Sequence, residues 1–182
     1  MQKKTFRFQL TPKVAKCISH SNASLQDILF ALFQDSMCAK ARQVVISTST
    51  VEGKTWLLIA DDGEEIFASN VLSFANNKRA NKDTYCLKLA REISIYNLFS
   101  RGAIVESKRL SLTLGAEDFP INGDVQMRSI NIERGTKISF PIAKDEITEL
   151  LRVVKCIAAY SPISLVFNGS KFTQTNRVLA KV

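Results

Sequence analysis

The order of apolar and polar residues predicts helices interleaved with strands. The strongest helical signal follows Ser24, which can form a capping pair with Asp27. Gln34 lies on the flank of the helical stripe that follows, together with Asp35 and Cys38, and the stripe itself comprises Leu25, Ile28, Leu29, Leu32, Phe33 and Met37. A hairpin is predicted next, with strands over residues 43–48 and 55–60 and a turn at 52–54.

The remaining elements are predicted from alternation, turn residues and a second helical stripe. Pro12 suits the first turn of a short helix, and Gly102 a C-terminal cap on a longer one. The predicted elements are strands over 4–10, 103–106, 110–114, 125–132, 137–141 and 163–167, turns at 115–123, 133–136 and 168–169, and a helix over 84–99. A further helix begins at Asp145, ends before Pro162 and carries apolar residues at Leu150, Leu151, Val154, Ile157 and Ala158.

This order of elements predicts an α+β fold, a two-layer sandwich in which a mostly antiparallel sheet is covered by helices. No internal repeat or linker interrupts residues 1–182. We therefore expect a single domain with its core at about residues 11–172 and a polar C-terminal tail at 173–182.

One stretch combines strand pattern with candidate chemistry. An apolar run from Leu57 ends at Asp61, Asp62 and Gly63, and Ile66 resumes it. A carboxylate at the end of a buried strand can accept a hydrogen bond from a ligand's amino group. Asp-Asp-Gly is equally good turn chemistry, so the same residues also fit an acidic hairpin turn.

Composition restricts the class of protein. The chain has 182 residues, of which 46% are hydrophobic, enough for one domain with a proper core. The four cysteines lack zinc-type spacing, and His20 is the single histidine, which we interpret as a surface or loop residue. With no signal-peptide pattern and no apolar run long enough for a bilayer, we expect a cytoplasmic protein with reduced thiols.

The charge leaves the class of partner open. A net charge of +8 permits binding to nucleic acid or to an acidic protein. The basic residues are scattered, with one denser cluster at residues 77–82. A small basic nucleic-acid-binding protein would use Lys78, Arg79, Lys82, Lys108 and Arg109.

Three short motifs, in this order, resemble the GHKL (Bergerat-fold) ATPase domain of gyrase, MutL, MORC proteins and some heat-shock chaperones. Residues 32–39 align with its helical box E-x-x-x-N-x-x-D-A, residues 61–63 with D-x-G, and residues 135–140 with a strand bearing G-T. Residues 161–169 are similar to the closing strand of the MutL and MORC branches. Residues 11–19 and 135–142 also resemble phage rIIA-type proteins.

The resemblance implies a nucleotide site. Asp61 would contact the adenine amino group, Gly63 would allow close approach of the base, and Thr136 would lie near the adenine. Ser36 and Gly135, neighbours of these motif positions, would complete the nucleotide contacts. Asp35 stands at the family's Mg²⁺-binding asparagine. The nearest counterparts of the family's phosphate-binding lid are Lys88 and Arg91, which would grip phosphate by charge. The alternative interpretation makes them ordinary exposed positions on a helix whose lid has been remodelled.

Other positions depart from the family. Ala31 stands where the general-base glutamate belongs, and loss of a positioned base typically costs ~10²–10⁴-fold in rate. Glu65 replaces the second glycine of D-x-G-x-G, and Cys38 replaces an acidic residue. No glycine lies between Val71 and Ile95, whereas the family's lid cradles phosphate with glycine-bearing backbone.

These departures favour a pseudo-ATPase of the GHKL fold that acts through protein–protein contacts, as a phage-type host- or defence-directed factor. No catalytic residue is then expected, and binding of ATP and Mg²⁺ should be weak or absent. Two alternatives stay open: a non-hydrolysing ATP-binding sensor, and the nucleic-acid-binding protein described above. The partner is expected to be a protein, with homodimerisation an option and no membrane association.

Overall fold

A computed structural model gives the fold of this chain, and it describes residues 4–9, 24–64, 97–98, 100–107, 110–114, 122–130 and 134–172. Two α-helices and a nine-stranded sheet are formed within these ranges. The helices are α1 (Leu25–Cys38) and α2 (Lys144–Tyr160). The strands are β1 (Lys4–Gln9), β2 (Gln43–Val51), β3 (Lys54–Asp61), β4 (Ile104–Ser107), β5 (Leu110–Leu114), β6 (Asn122–Ser129), β7 (Thr136–Ile142), β8 (Ser164–Phe167) and β9 (Ser170–Phe172).

The sheet has the strand order β1-β6-β5-β4-β7-β3-β2-β8-β9. Its neighbouring strands are antiparallel except β2 and β8, which run parallel. The sheet is therefore mixed and mostly antiparallel, as the sequence predicts. Strand order departs from chain order where β1 pairs with β6, where β8 pairs with β2, and where β7 inserts between β3 and β4. The last of these brings Thr136 opposite Asp61.

Helix α1 is fixed at both ends by local hydrogen bonds. At its start the Ser24 hydroxyl accepts the Asp27 amide, and the Asp27 carboxylate accepts the Ser24 amide, which confirms the predicted capping box. At its end Lys40 adopts a left-handed conformation with φ 56°, and the Ala41 amide donates to the Ser36 carbonyl. Glycine usually occupies such a position, so the helix ends here without its most favourable residue.

Helix α2 begins at a charged contact. The Arg101 guanidinium donates two hydrogen bonds to the Glu146 carboxylate, at 2.9 and 2.6 Å. The same carboxylate accepts the Ala143 amide at the helix start. The hydrogen bond from Arg101 is the main reason that the pKa of Glu146 is lowered. This contact ties the predicted cap region near Gly102 to the second helix.

One face of the sheet packs against both helices in a single core. Alternate residues of the central strands, such as Leu57 and Ile59 of β3, point to that face and are buried. Asp61 continues the same alternation, so its side chain also points toward the helical layer. The two helices contact each other over this face. The coarse prediction of an α+β fold with helices over a mostly antiparallel sheet is confirmed.

Several boundaries and side chains differ from the predictions. The predicted turn at 115–123 is wrong at its end, because Asn122 and Gly123 already belong to β6. Strand β9 was not predicted; it forms because the Asn168–Gly169 turn reverses the chain, with both residues at positive φ. Gly102 follows the helical residues described near position 98 and takes the predicted cap conformation, with φ 68° and a hydrogen bond from the Ala103 amide to the Leu98 carbonyl.

Two residues assigned to apolar stripes are exposed. Met37 of α1 is 39% exposed and Leu151 of α2 is 42% exposed, while Val153 takes a buried place that the stripe did not include. The buried face of α1 instead ends in Asp35 and Ser36. In the last turns of α1, polar residues thus occupy the buried face, whereas the apolar spacing of the helix predicts core residues there.

Some predictions fall outside the described residues. They are the short helix after Pro12, most of the helix over 84–99, and the tail at 173–182. Within the described part of the chain, neither helix has the length and apolar character that crossing a bilayer requires.

Candidate functional site

The candidate site lies where the C-terminal end of α1 meets the C-terminal end of β3. A small pocket opens there, with polar groups from both elements and from β7 in its wall. Its lining residues are Leu32, Asp35, Ser36, Ala39, Ile59, Asp61, Glu64, Thr136 and Ile138. The structure therefore brings together Asp35, Ser36, Asp61 and Thr136, which the sequence places up to about a hundred residues apart.

Asp61 is held by donors on two sides. Its Oδ1 atom accepts the Gly63 amide at 2.8 Å, and its Oδ2 atom accepts the Ser36 hydroxyl at 3.1 Å. Burial raises the pKa of Asp61, while the hydrogen bonds from Gly63, Ser36 and the Thr136 backbone oppose that rise. A carboxylate in this position is oriented by the protein but incompletely compensated for its loss of water.

Asp62, the next residue, has a different role. Its Oδ1 atom accepts the backbone amides of Arg42 at 2.7 Å and Gln43 at 3.0 Å. These bonds, the one from Gln43 first, lower the pKa of Asp62. Asp62 thus fastens the end of β3 to the start of β2. Its role is structural and differs from that of Asp61, which lines the pocket.

Gly63 allows the chain to pass closely over the end of α1. A side-chain carbon at Gly63 would lie 2.7 Å from the Ala39 carbonyl oxygen and 2.8 Å from the Ala39 methyl carbon. The Glu64 amide donates to that carbonyl at 2.7 Å, and the Glu64 carboxylate pairs with Lys40 at 3.1 Å. The main requirement for glycine here is therefore contact with the helix end.

Gly135 allows a second close approach, from the other side of Asp61. Its φ is +83°, and a side-chain carbon built on it would overlap the carbonyl oxygen of Asp61. Thr136 follows as the first residue of β7 and is 2% exposed. Glycine at 135 is thus needed both for backbone conformation and for the contact that places Thr136 beside the pocket.

Asp35 stands in the pocket wall on α1 and is only 7% exposed. Its oxygens are of the type that Mg²⁺ prefers, so the donor chemistry fits. The described residues contain no group of three or more histidine, cysteine, aspartate or glutamate side chains able to hold a metal ion. A magnesium ion would therefore need most of its ligands from water and from phosphate oxygens.

Other predicted positions are not brought to the pocket wall. Ala31 is half-buried one turn before Asp35, and Cys38 is exposed. Lys88, Arg91 and Glu65 lie outside the described residues, as do the five basic residues proposed for nucleic acid. The roles suggested for all of them stay predictions.

The pocket is small. Its solvent-accessible volume is about 10 Å³, roughly the space that one water molecule needs. Ala39 and Glu64 also line it, and neither is among the predicted site residues. Ala39 ends the helical box and Gly63 ends the D-x-G motif. These two small residues are the feature of the sequence that is compatible with the close contact between them.

Comparison with models of known protein families and with curated proteins returns no match for this chain. The geometry of the pocket is therefore the basis for a functional assignment.

The two adjacent aspartates should respond oppositely to neutralisation. Because the pKa of Asp61 is raised, the protonated side chain stabilises the fold below the unfolded value of 3.8, and this stabilisation is lost as pH rises through the folded pKa. At pH 7 the Asp61→Asn variant should therefore melt at the same temperature as the wild type or higher. In acid the variant should lose that advantage, and thermal unfolding of both proteins between pH 3 and 8 measures the difference in melting temperature.

Asp62→Asn is the matched control. The pKa of Asp62 is lowered, so its stabilisation is present above 3.8 and lost as pH falls through the folded pKa. This variant should melt below the wild type at pH 7. Destabilisation of both variants to the same extent at pH 7 would contradict the assignment of different roles.

Alanine substitution should distinguish a glycine that is required only by its positive φ from one that is also required because no side chain fits beside it. Gly53→Ala changes a residue at φ +75° with nothing within 4 Å of the new carbon, so it should cost about 1–2 kcal/mol of unfolding free energy. Gly135→Ala adds an overlap with Asp61 and should cost about 3 kcal/mol or more beyond that. Chemical denaturation compares them, and equal costs would show that Gly135 is not packed against Asp61.

Proposed function

We propose that this chain is a GHKL-type domain that has kept the base-binding corner of the fold, has lost ATP turnover, and acts through contacts with a protein partner. The observation that carries the proposal is the position of Asp61. It stands at the end of the second hairpin strand, beneath the end of the preceding helix, and is held by Gly63 and Ser36. Thr136, the first residue of β7, pairs with Asp61, and the preceding Gly135 lies against the Asp61 carbonyl.

Loss of turnover rests on Ala31. A methyl group can neither orient nor deprotonate a water molecule. The half-buried Gln34, the next polar side chain on α1, is an amide with no proton-accepting role at neutral pH. A hydrolytic water would thus have no general base at the position from which the family's glutamate acts. The carboxylate that α1 does bring to the pocket, Asp35, stands at the Mg²⁺-binding position of the resemblance instead. Phosphate binding by Lys88 and Arg91 would not replace that base.

Action through a protein partner is the part of the proposal that is left when turnover is removed. The described part of the pocket has a volume of about 10 Å³, roughly the space of one water molecule, and so offers little room for a base. This small volume supports a role in protein contacts over a role in turnover. The resemblance to phage rIIA-type proteins suggests a host- or defence-directed partner, and homodimerisation belongs to the same proposal.

A non-hydrolysing ATP sensor is the second candidate. It is favoured by one observation, the raised pKa of Asp61, because a ligand that donates a hydrogen bond to this carboxylate would relieve part of its cost of burial. In the sensor, Asp35 would contribute one ligand to a nucleotide-bound Mg²⁺, and ATP would change which partner surface is presented.

Titration with ATP and Mg²⁺ separates the two candidates. A ligand that binds only the folded state raises the melting temperature, by an amount equivalent to about 2.7 kcal/mol at a hundred times its dissociation constant. We expect millimolar ATP to change the melting temperature of the wild type little, and that of Asp61→Asn not at all. Partner capture from a host lysate should be equal for the two proteins.

A large ATP-dependent rise that Asp61→Asn removes would replace the first candidate with the sensor. In that case partner capture should depend on ATP and should fail for Asp61→Asn. Asp62→Asn is the control here, because Asp62 binds the β2 backbone rather than the pocket.

A further inference from the structure

The face of the sheet that points away from the helices carries apolar side chains of its own. The two helices of the described residues both pack on the face that carries Leu57 and Ile59 of β3. The alternate residues of β3 point to the opposite, outer face, and Trp56, Leu58 and Ala60 are all partly exposed there. A solvated face of an antiparallel sheet is usually polar, whereas β3 is apolar on both of its sides.

The strand register extends this apolar surface across neighbouring strands. Ala60 pairs with Val45 of β2, and Val45 pairs with Val166 of β8. Both valines are partly exposed. Neighbouring strands lie about 5 Å apart, so these three side chains touch the same surface as Leu58 and Trp56. We call these five residues the outer cluster.

Lysines border the outer cluster on three sides. Lys137 of β7 pairs with Ala60, and Lys171 of β9 pairs with Val166, so an exposed lysine stands at each end of this row. Lys54 is exposed at the start of β3, on the same face of the sheet. The apolar centre is therefore enclosed by positive charge.

The row beyond Lys137 keeps the face positive. Glu106 of β4 pairs with Lys137 and is the one acidic residue of the row. Ser111 of β5 comes next, and Arg128 of β6 follows it and is exposed. With Lys54 and Lys171, the residues discussed for this face carry four positive charges and one negative charge.

The spacing of these charges disfavours nucleic acid as the occupant. Lys137 and Lys171 lie four strand spacings apart, or about 19 Å. Phosphates along one strand of a duplex repeat about every 3.4 Å, so these lysines would leave most of the intervening phosphates without a cation. The residues between the two lysines are apolar, which suits a protein surface better than a phosphate backbone.

The sign of these charges disfavours a second copy of the chain. A symmetric dimer uses the same surface on both subunits, so two positively charged borders would meet across the interface. Like charges placed together at an interface oppose association. The complementary occupant is instead a surface with an apolar centre and carboxylates around it.

We propose that the outer cluster is the docking surface for a partner protein that presents aliphatic side chains flanked by carboxylates. The inference deepens the protein-partner part of the proposed function and rests on it. Trp56 would be the anchor of the contact, because tryptophan is enriched among the residues that dominate binding energy. Lys54, Lys137 and Lys171 would pair with the carboxylates and determine orientation and rate of association more than affinity.

Trp56 makes the test direct because it is the single tryptophan of the chain. The probe is a short peptide of alternating leucine and glutamate, and its match is the same peptide with lysine in place of glutamate. Binding at the outer cluster should shift the Trp56 emission to shorter wavelength and protect it from quenching by acrylamide. The acidic peptide should bind roughly tenfold more tightly than the basic one, and added salt should reduce the difference.

Variants on the two faces of the sheet locate the contact. Leu58→Ser should weaken binding of the acidic peptide by roughly tenfold, because it removes part of the apolar centre. Lys137→Glu should weaken it by roughly fivefold through lost ion pairing. Phe30→Ser on α1 and Lys155→Glu on α2 are the matched controls, since both residues are exposed in the helical layer, and neither should change binding. Circular dichroism of each variant confirms that it is folded.

Four results would overturn the inference in distinguishable ways. Absence of Trp56 protection by either peptide would remove the docking surface, and equal protection by both would remove the acidic partner. Competition between single-stranded DNA and the acidic peptide would assign the face to nucleic acid. A dimer that Leu58→Ser dissociates in analytical ultracentrifugation would assign it to a second copy.

The peptide experiment uses no nucleotide, so its failure is separate from failure of the proposed function. ATP hydrolysis by the chain would contradict the loss of turnover and would leave Trp56 protection to decide the docking surface. Unprotected Trp56 in a chain that hydrolyses no ATP would overturn the docking surface alone.

Discussion

The hydrogen bonds of Asp61 join the two elements on which the candidate site depends. Ser36 reaches Asp61 from the last turns of α1, and Gly63 reaches it from the turn that follows β3. The chain can make this turn only because Gly63 lies directly against Ala39 and because Gly135 leaves space beside the Asp61 carbonyl. Helix, hairpin and β7 meet at this one carboxylate, so the pocket exists only while all three are in place.

The elements that local chemistry specifies could be predicted from the sequence. Ser24 and Asp27 cap α1 as expected, and Gly102 and the Asn168–Gly169 turn take the positive φ values that their positions require. The apolar run that begins at Leu57 forms a strand as predicted, with Leu57 and Ile59 in the core. These features depend on a few residues that are close in the sequence, so local sequence patterns predict them.

The features that depend on distant residues could not be predicted in the same way. Met37 continues the apolar spacing of α1, yet it is exposed. Asp35 and Ser36 are buried instead, and both line the pocket. The helical pattern fails at the place where the polar pocket begins. Nothing local to residue 64 indicates that its amide would bond to Ala39.

Asp61 is an oriented acceptor in the pocket wall, and Ala31 stands where the GHKL resemblance places the general base. This combination is the basis for proposing a GHKL-type domain that acts by binding. The different hydrogen bonding of Asp61 and Asp62 also explains why a stretch that suits a simple turn can serve both structure and recognition.

Release of inorganic phosphate from ATP in the presence of Mg²⁺ tests the central claim most directly. The purified wild-type chain and Asp61→Asn should both release phosphate at the rate of buffer alone. Magnesium-dependent release by the wild type that Asp61→Asn abolishes would contradict the account, because it would show that the pocket hydrolyses ATP without a base at residue 31.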